Sequence, residues 1–446
     1  MVVTNRLLCV LALEVVSLIL TRLRIGLSFR VFSDICANSN SLTESKVMIK
    51  NQTSPSNPVP FLDIGRENRP LDAEIQAAIA NVCRSGSFVM GPECKELEKR
   101  IAAVCGAKHG IGCASGSDAL LLSLMAYDIG PGDEVIVPSF TFFATASAVW
   151  RLGAKPVFVD IDPVTFNLDP VAFEAAITHA TRGVIPVHLL GQPADMKAIN
   201  EIATAKKLVV IEDAAQAIGA SCDGQPVGSL GDVGCISFYP TKNLGGFGDG
   251  GMLVTSNDEL AGRLSLLRSH GMKPRYFHSE VGINSRLDSI QAAVLNIKLP
   301  RLEQWTASRQ QHAARYGELF KAQRLERYLT LPVVQNDLIH VWNQYTVRVN
   351  NNLRDELRDY LNQAGIGTEV YYPIPLHQQA CFQSLGYSDG SLPVTERAAK
   401  EVLSLPVFPE LKPAEIEAVV AQVARFFQSR IPNLPTGVSP GIMTNA

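Results

Sequence analysis

The chain has 446 residues, 46% hydrophobic and 19% charged, with a formal net charge of −3. Such a composition belongs to globular proteins with sizeable cores, and without a basic cluster to track a phosphate backbone it excludes nucleic acid as the expected partner. Nine scattered cysteines, with no Cys-x-x-Cys and no Cys/His set at zinc spacing, point to reduced thiols in a cytoplasmic protein and to no metal site.

Residues 1–57 read as an N-terminal extension and linker. The apolar run Leu7–Leu20 carries Glu14 and falls short of the ~20 residues of a bilayer span. Arg22, Arg24 and Arg30 follow it, whereas a signal segment carries its charge ahead of the apolar run. Three readings stand: upstream sequence before a start at Met48, a peripheral anchor, or a signal. No membrane partner is expected.

From Leu71 the apolar spacing becomes helical (Ile75, Ala78, Ile79, Val82), SGSFVMG interrupts it, and a second helix runs from about Cys94 to Val104. Short apolar runs then alternate with helical ones. HGIGCA, EVIVP, PVFVDI, GVIPVHLL, LVVIED and MLVTS read as strands. DALLLSLMAYD, ATASAVWRLG, PVAFEAAITHA and ADMKAINEIATAKK read as helices. This alternation predicts an α/β fold with a mostly parallel sheet covered by helices. A long helix is expected from about Ser285 past Trp305, kinked at Pro300. HVWNQYTVRV then reads as a strand, and NLRDELRDYLNQAG and AEIEAVVAQVARFFQSR as helices. The expected organisation is a large domain over 58–295, a smaller α+β domain over 296–430 and a disordered tail over 431–446.

Four stretches could carry chemistry. ASGSDALLLSLM leads small residues into a helix, whose N-terminus suits phosphate, with Gly116 allowing close approach and Ser117 adding a hydroxyl. Plain N-capping by Ser117 or Asp118 is the alternative. LVVIED ends in two acids, of which strand alternation lets one enter a crevice at the sheet's carboxyl edge. That carboxylate needs a cationic partner, such as a metal ion or a protonated ring nitrogen. In SFYPTKNLGGFGDGG, Lys242 lies between Ser237 and a run of glycines. An aspartate for a ring nitrogen and a lysine able to form a Schiff base are what pyridoxal phosphate asks of a protein. Ser237 could hold the phosphate. In PSFTFFAT, Phe140, Phe142 or Phe143 could stack on a flat ring or simply fill the core.

These segments, together with SGSFVMGPECKELEKRIA, GINSRLDSIQAAVL and YYPIPLH, recur in order. From about Phe61 to Phe427 the chain resembles the DegT-type sugar aminotransferases, fold-type I pyridoxal phosphate enzymes, and most nearly those acting on 3-keto nucleotide sugars. The resemblance implies that Lys242 carries the cofactor as a Schiff base and that Asp213 binds its ring nitrogen. It also implies that Gln216 meets the ring hydroxyl, Phe142 stacks on the ring, and Gly116, Ser117 and Ser237 hold the phosphate. Asn284 is implied to reach the phosphate of a neighbouring subunit, giving a homodimer with shared sites; capping a helix from Ser285 is its other reading. Tyr372 and His377 are implied to face the nucleotide sugar. Ser117 stands where threonine is commoner.

The implied reaction moves an amino group from L-glutamate to a keto sugar, with Lys242 shuttling the proton. The Tyr-Pro-x-Lys-x-Leu-Gly pattern ending in Gly-Asp-Gly-Gly resembles members acting at C3, so the expected acceptor is a dTDP-linked 3-oxo-6-deoxyhexose. Amination at C4, and a regulator that binds the cofactor without turnover, are the alternatives. A dehydratase carries histidine at the position of Lys242 and is not expected.

Overall fold

Seven short strands, β1 (His109–Cys113), β2 (Glu134–Pro138), β3 (Lys155–Val159), β4 (Thr181–Val184), β5 (Val209–Asp213), β6 (Val233–Ser237) and β7 (Gly251–Thr255), form one sheet in the order β1-β7-β6-β5-β4-β2-β3 in the computed structural model, which describes residues 58–430. Pairing is parallel from β3 through β6; β7 runs antiparallel to both β1 and β6. The central strands are apolar on consecutive residues because both faces are covered. Val135, Val137, Ile211, Cys235 and Leu253 point into a core shared with the helix Gly116–Ala126. Their neighbours Ile136, Val210, Ile236 and Met252 point into the cores on the opposite face.

A second, antiparallel sheet joins β8 (Leu329–Thr330), β9 (Tyr345–Val349) and β10 (Val402–Leu405) in that order. The helices Leu302–Ala322, Arg354–Gln363 and Pro413–Arg430 supply its core, which includes Tyr316, Phe320, Phe426 and Phe427. Val59 belongs to this second core and bridges to Ile366. The described residues form one compact unit. The readings of residues 1–57 and of the tail 431–446 lie outside the described residues.

Several expected boundaries move, each for a local reason. GVIPVHLL is strand only to Val184: Pro186 has no N–H for a ladder, and Leu190 turns to φ +60°. The helix expected over 170–180 spans Pro170–Ala175, where Thr178 binds Glu134 and Thr181 instead. The helix expected from Asp118 starts at Gly116. Its cap is neither Ser117 nor Asp118 but Ser115, whose Oγ accepts from the Asp118 N–H at 3.1 Å. The long helix divides into Ser289–Lys298 and Leu302–Ala322 around a 3₁₀ turn at Leu299–Arg301 that contains Pro300. Its cap residue is Asp288, so the capping reading of Asn284 is wrong. The helices Asp258–Leu267 and Pro393–Glu401 and strand β10 had no counterpart in the sequence reading.

Candidate active site

Because β5 and β6 are parallel, their last residues, Asp213 and Ser237, share one edge of the sheet. The N-terminus of the helix Gly116–Ala126 arrives at the same edge, leaving its first N–H groups without intrahelical partners. Contact here is tight. A Cβ at Gly116 would stand 2.8 Å from the Ser237 Cβ, and one at Gly251 2.3 Å from the Ser115 carbonyl carbon. Only glycine lets these backbones meet. Ser237 is buried and its Oγ accepts from the Tyr239 N–H at 3.3 Å; Ser117 is exposed.

Asp213 is buried. Its Oδ2 accepts from Thr145 Oγ1 at 2.8 Å and its Oδ1 from the Ala215 N–H at 3.3 Å. Burial pushes its carboxyl above the usual range, against the pull of those hydrogen bonds and of Lys242 and His188. The adjacent Glu212 is wholly buried and serves structure. It accepts from the N–H groups of Gly228, Leu230 and Gly231 at 2.7–2.8 Å and meets His188 Nε2 at 2.9 Å. Because His188 Nδ1 accepts from the Ala194 N–H, its Nε2 carries the proton toward Glu212.

Lys242 follows a turn closed by its N–H on the Tyr239 carbonyl at 2.9 Å. It is half-buried and makes no ion pair among the described residues. Burial pulls its ammonium down to about 8, opposed by the charge of Asp213. The flanking loop is anchored from outside. Asn243 Nδ2 donates to the Val341 carbonyl at 2.8 Å, and Gln291 Oε1 accepts from the Phe247 N–H at 2.8 Å.

The remaining predicted residues separate. Gln216 Nε2 donates to the Tyr372 hydroxyl at 3.0 Å and its Oε1 accepts from the Leu190 N–H at 2.7 Å, so these two predicted residues meet. Burial raises the Tyr372 phenol, and the ring packs edge-on against Phe140. Phe140 is therefore core and Phe143 packs on Phe382, whereas Phe142 is 61% exposed. His377 is buried, with Nδ1 2.7 Å from Ser139 Oγ and Nε2 3.3 Å from Glu396. It has no ring nitrogen left for a ligand. Asn284 is exposed and its side chain makes no hydrogen bond among the described residues. Sequence reasoning missed Thr145, His188 and Gln291; the Thr141–Thr145 spacing inside an apolar run was the one available signal.

Among the described residues no His/Cys/Asp/Glu group is arranged for a metal, and no helix is long and apolar enough to cross a membrane. A lysine and a buried carboxylate in mutual electrostatic reach, at the carboxyl edge of a parallel sheet beside a helix N-terminus, define an α/β enzyme site for a phosphorylated ligand. Residues 70–424 match the DegT/DnrJ/EryC1/StrS aminotransferase family, and the chain belongs to it.

The chain is 53% identical over 370 residues to a "pleiotropic regulatory protein" of Geobacillus stearothermophilus, covering 83% of this chain and 99% of the relative. It is 45% identical to the UDP-N-acetyl-3-dehydro-α-D-glucosamine 3-aminotransferase of Acidithiobacillus ferrooxidans, covering 82% and 97%. It is 46% identical to the dTDP-3-amino-3,4,6-trideoxy-α-D-glucose transaminase of Streptomyces venezuelae, covering 82% and 95%. Among solved structures, S. venezuelae DesV superposes with a TM-score of 0.80 at 45% identity, covering 83% of this chain and 99% of that one.

Proposed function

We propose that this protein is a pyridoxal phosphate-dependent aminotransferase that moves the amino group of L-glutamate to C3 of a nucleotide-linked keto sugar, a dTDP-3-oxo-6-deoxyhexose. The observation that carries the reading is Lys242: a half-buried amine drawn down to about 8, held in the charge field of the buried Asp213. An amine so placed is partly neutral near physiological pH, as covalent capture of an aldehyde requires.

The site fits the cofactor at each end. Gly116 has no room for a Cβ where the helix N-terminus, Ser117 and Ser237 converge, which suits a phosphate against bare amides. Asp213 is a buried carboxylate whose oxygens keep acceptor capacity for a ring N–H. Gln216 lies between Tyr372 and Leu190, within the same edge, for the ring hydroxyl, and the exposed ring of Phe142 is free to cover a ring face. When bound, pyridoxal phosphate supplies an electron sink for the bond changes at the substrate carbon. Lys242 contributes the movable proton, and a positioned acid–base of this kind contributes about 10²–10⁴ in rate. Asp213 holds charge at the ring's far side. Tyr372 borders the substrate side, and His377 acts behind it through Ser139. We assign the working form to a homodimer in which Asn284 serves the neighbouring site, and the compartment to the cytoplasm, where the seven free cysteines of the described residues stay reduced.

C3 is supported by two relatives that carry that position in their names, one with UDP and one with dTDP. The 53% identity to a protein named for regulation favours one second reading, cofactor binding without turnover. One experiment separates them. Purified protein with glutamate and dTDP-linked 3-keto or 4-keto sugars, and UDP counterparts, is assayed for 2-oxoglutarate and for the aminated product by mass spectrometry and NMR. Amination at C3 with dTDP preferred is expected. Amination at C4 alone overturns the positional assignment, and cofactor binding without 2-oxoglutarate supports the regulator.

A further inference from the structure

The backbone of Asp213 is pinned to the neighbouring segment, its N–H donating to the Pro186 carbonyl at 2.9 Å and its carbonyl accepting from the His188 N–H at 3.0 Å. What aims its side chain is separate. Thr145, second residue of the helix Ala144–Arg151 and wholly buried, places Oγ1 2.8 Å from Oδ2. A carboxylate only accepts, so the single proton of the Thr145 hydroxyl goes to Asp213. The Thr141 hydroxyl, one helical turn back in sequence and 1% exposed, lies 3.2 Å from Thr145 Oγ1. With the Thr145 proton committed, Thr141 is the donor in that pair. The chain of hydrogen bonds therefore has one direction, Thr141 to Thr145 to Asp213.

We propose that Thr145, oriented by Thr141, is a positioning residue for Asp213: it engages Oδ2 and, with the Ala215 N–H on Oδ1, fixes the rotation of the carboxylate that would meet the cofactor's ring nitrogen. The inference rests on the cofactor reading above. Thr141 and Thr145 belong to the segment PSFTFFAT, which also presents the exposed ring of Phe142. The titratable groups around Asp213 are Lys242, His188 and the adjacent Glu212, while Cys235 and Tyr372 feel its charge. None of them changes in the variants below.

The test compares Thr145→Val, which keeps volume and loses the hydroxyl, with Thr145→Ser, which keeps the hydroxyl and loses a methyl. In full-length apoprotein the Asp213 carboxyl is titrated by ¹³C NMR, with Asp213→Asn assigning the signal. Thr145→Val raises the midpoint by about one unit, and Thr145→Ser leaves it near wild type. Pyridoxal phosphate binding, read by absorbance, weakens roughly tenfold or more in Thr145→Val and recovers in Thr145→Ser. Thr141→Val, at the far end of the chain, gives a smaller change of the same sign. A packing role reverses the order, with serine worse than valine. That order, or an unmoved midpoint in Thr145→Val, overturns the proposal. If wild-type protein fails to bind pyridoxal phosphate, the cofactor reading falls, while the titration still decides whether Thr145 governs Asp213.

Discussion

Glu212 and Asp213 are adjacent at the end of β5, and their carboxylates have separate partners: Glu212 meets His188 and three backbone N–H groups, Asp213 meets Thr145 and the Lys242 side of the sheet edge. Strand alternation separates them. The two acids should therefore fail differently. Glu212→Ala leaves the His188 Nε2–H and the Gly228 N–H buried, and the Leu230 and Gly231 N–H groups half-buried, without their acceptor, and should cost about 3–5 kcal/mol in urea unfolding. Asp213→Asn should unfold near the wild-type midpoint while amino transfer falls by at least about 10². Equal stability losses in the two variants would contradict this division.

Lys242 makes a prediction about pH. Its ammonium is held at about 8 against an ordinary 10.5, so the unfolded chain binds the extra proton between those values. This group's contribution to apoprotein stability should rise as pH goes from about 8 to about 10.5. Capture of pyridoxal phosphate by the apoprotein should accelerate with pH around a midpoint near 8. Asp213 opposes the depression, so Asp213→Asn should move the midpoint lower still. Stopped-flow absorbance across the pH range measures both, and an upward shift in that variant would refute the assignment.

Legibility in the sequence followed the range of the interaction. The central strands were readable because a sheet covered on both faces needs consecutive apolar residues, as in EVIVP and VVIED. Lys242 was readable because its setting is local, a proline turn before it and close-packed glycines after it. Thr145 was not, since its partner lies 68 residues away. The capping reading of Asn284 failed for a similar reason. Val89 bridges Asp288, the Ser289 N–H donates to the Phe88 carbonyl, and Ser289 Oγ accepts from the Gly91 N–H. This pairing with SGSFVMG holds residues 284–288 out of the helix, and nothing within GINSR announces it.

A cluster away from the site gives an independent prediction. Lys298, wholly buried, lies 2.9 Å from Glu67, and Arg309 is buried nearby. Burial and the charge of Glu67 push the Glu410 carboxyl up to about 7, against an ordinary 4.5, with Arg309 and Lys298 pulling the other way. The folded state thus keeps a proton that the unfolded chain has released, and stability from this group should fall as pH rises from about 4.5 to 7. Glu410→Gln should raise stability at pH 8 by about 1–2 kcal/mol and flatten that slope. Thermal unfolding at pH 5 and pH 8 checks the sign; a loss at pH 8 would mean that Glu410 works as a paired carboxylate.

Assigning Asn284 to the neighbouring site gives the sharpest test of the assembly. The residue is exposed, and its side chain is unengaged among the described residues, on a stretch flanked by the exposed Tyr276, Phe277 and Val281. Lys242→Ala removes the amine from its own site, and Asn284→Ala removes a phosphate donor from the partner's. In a mixed dimer both defects fall in one site, and the other has an intact lysine and an intact asparagine. Equal amounts of the two variants, dissociated and reassociated at random, give half mixed dimers, so about a quarter of wild-type activity should return. Each variant alone should stay well below that level. A mixture no more active than the sum of its parents would confine each site to a single chain and remove Asn284 from the cofactor's contacts.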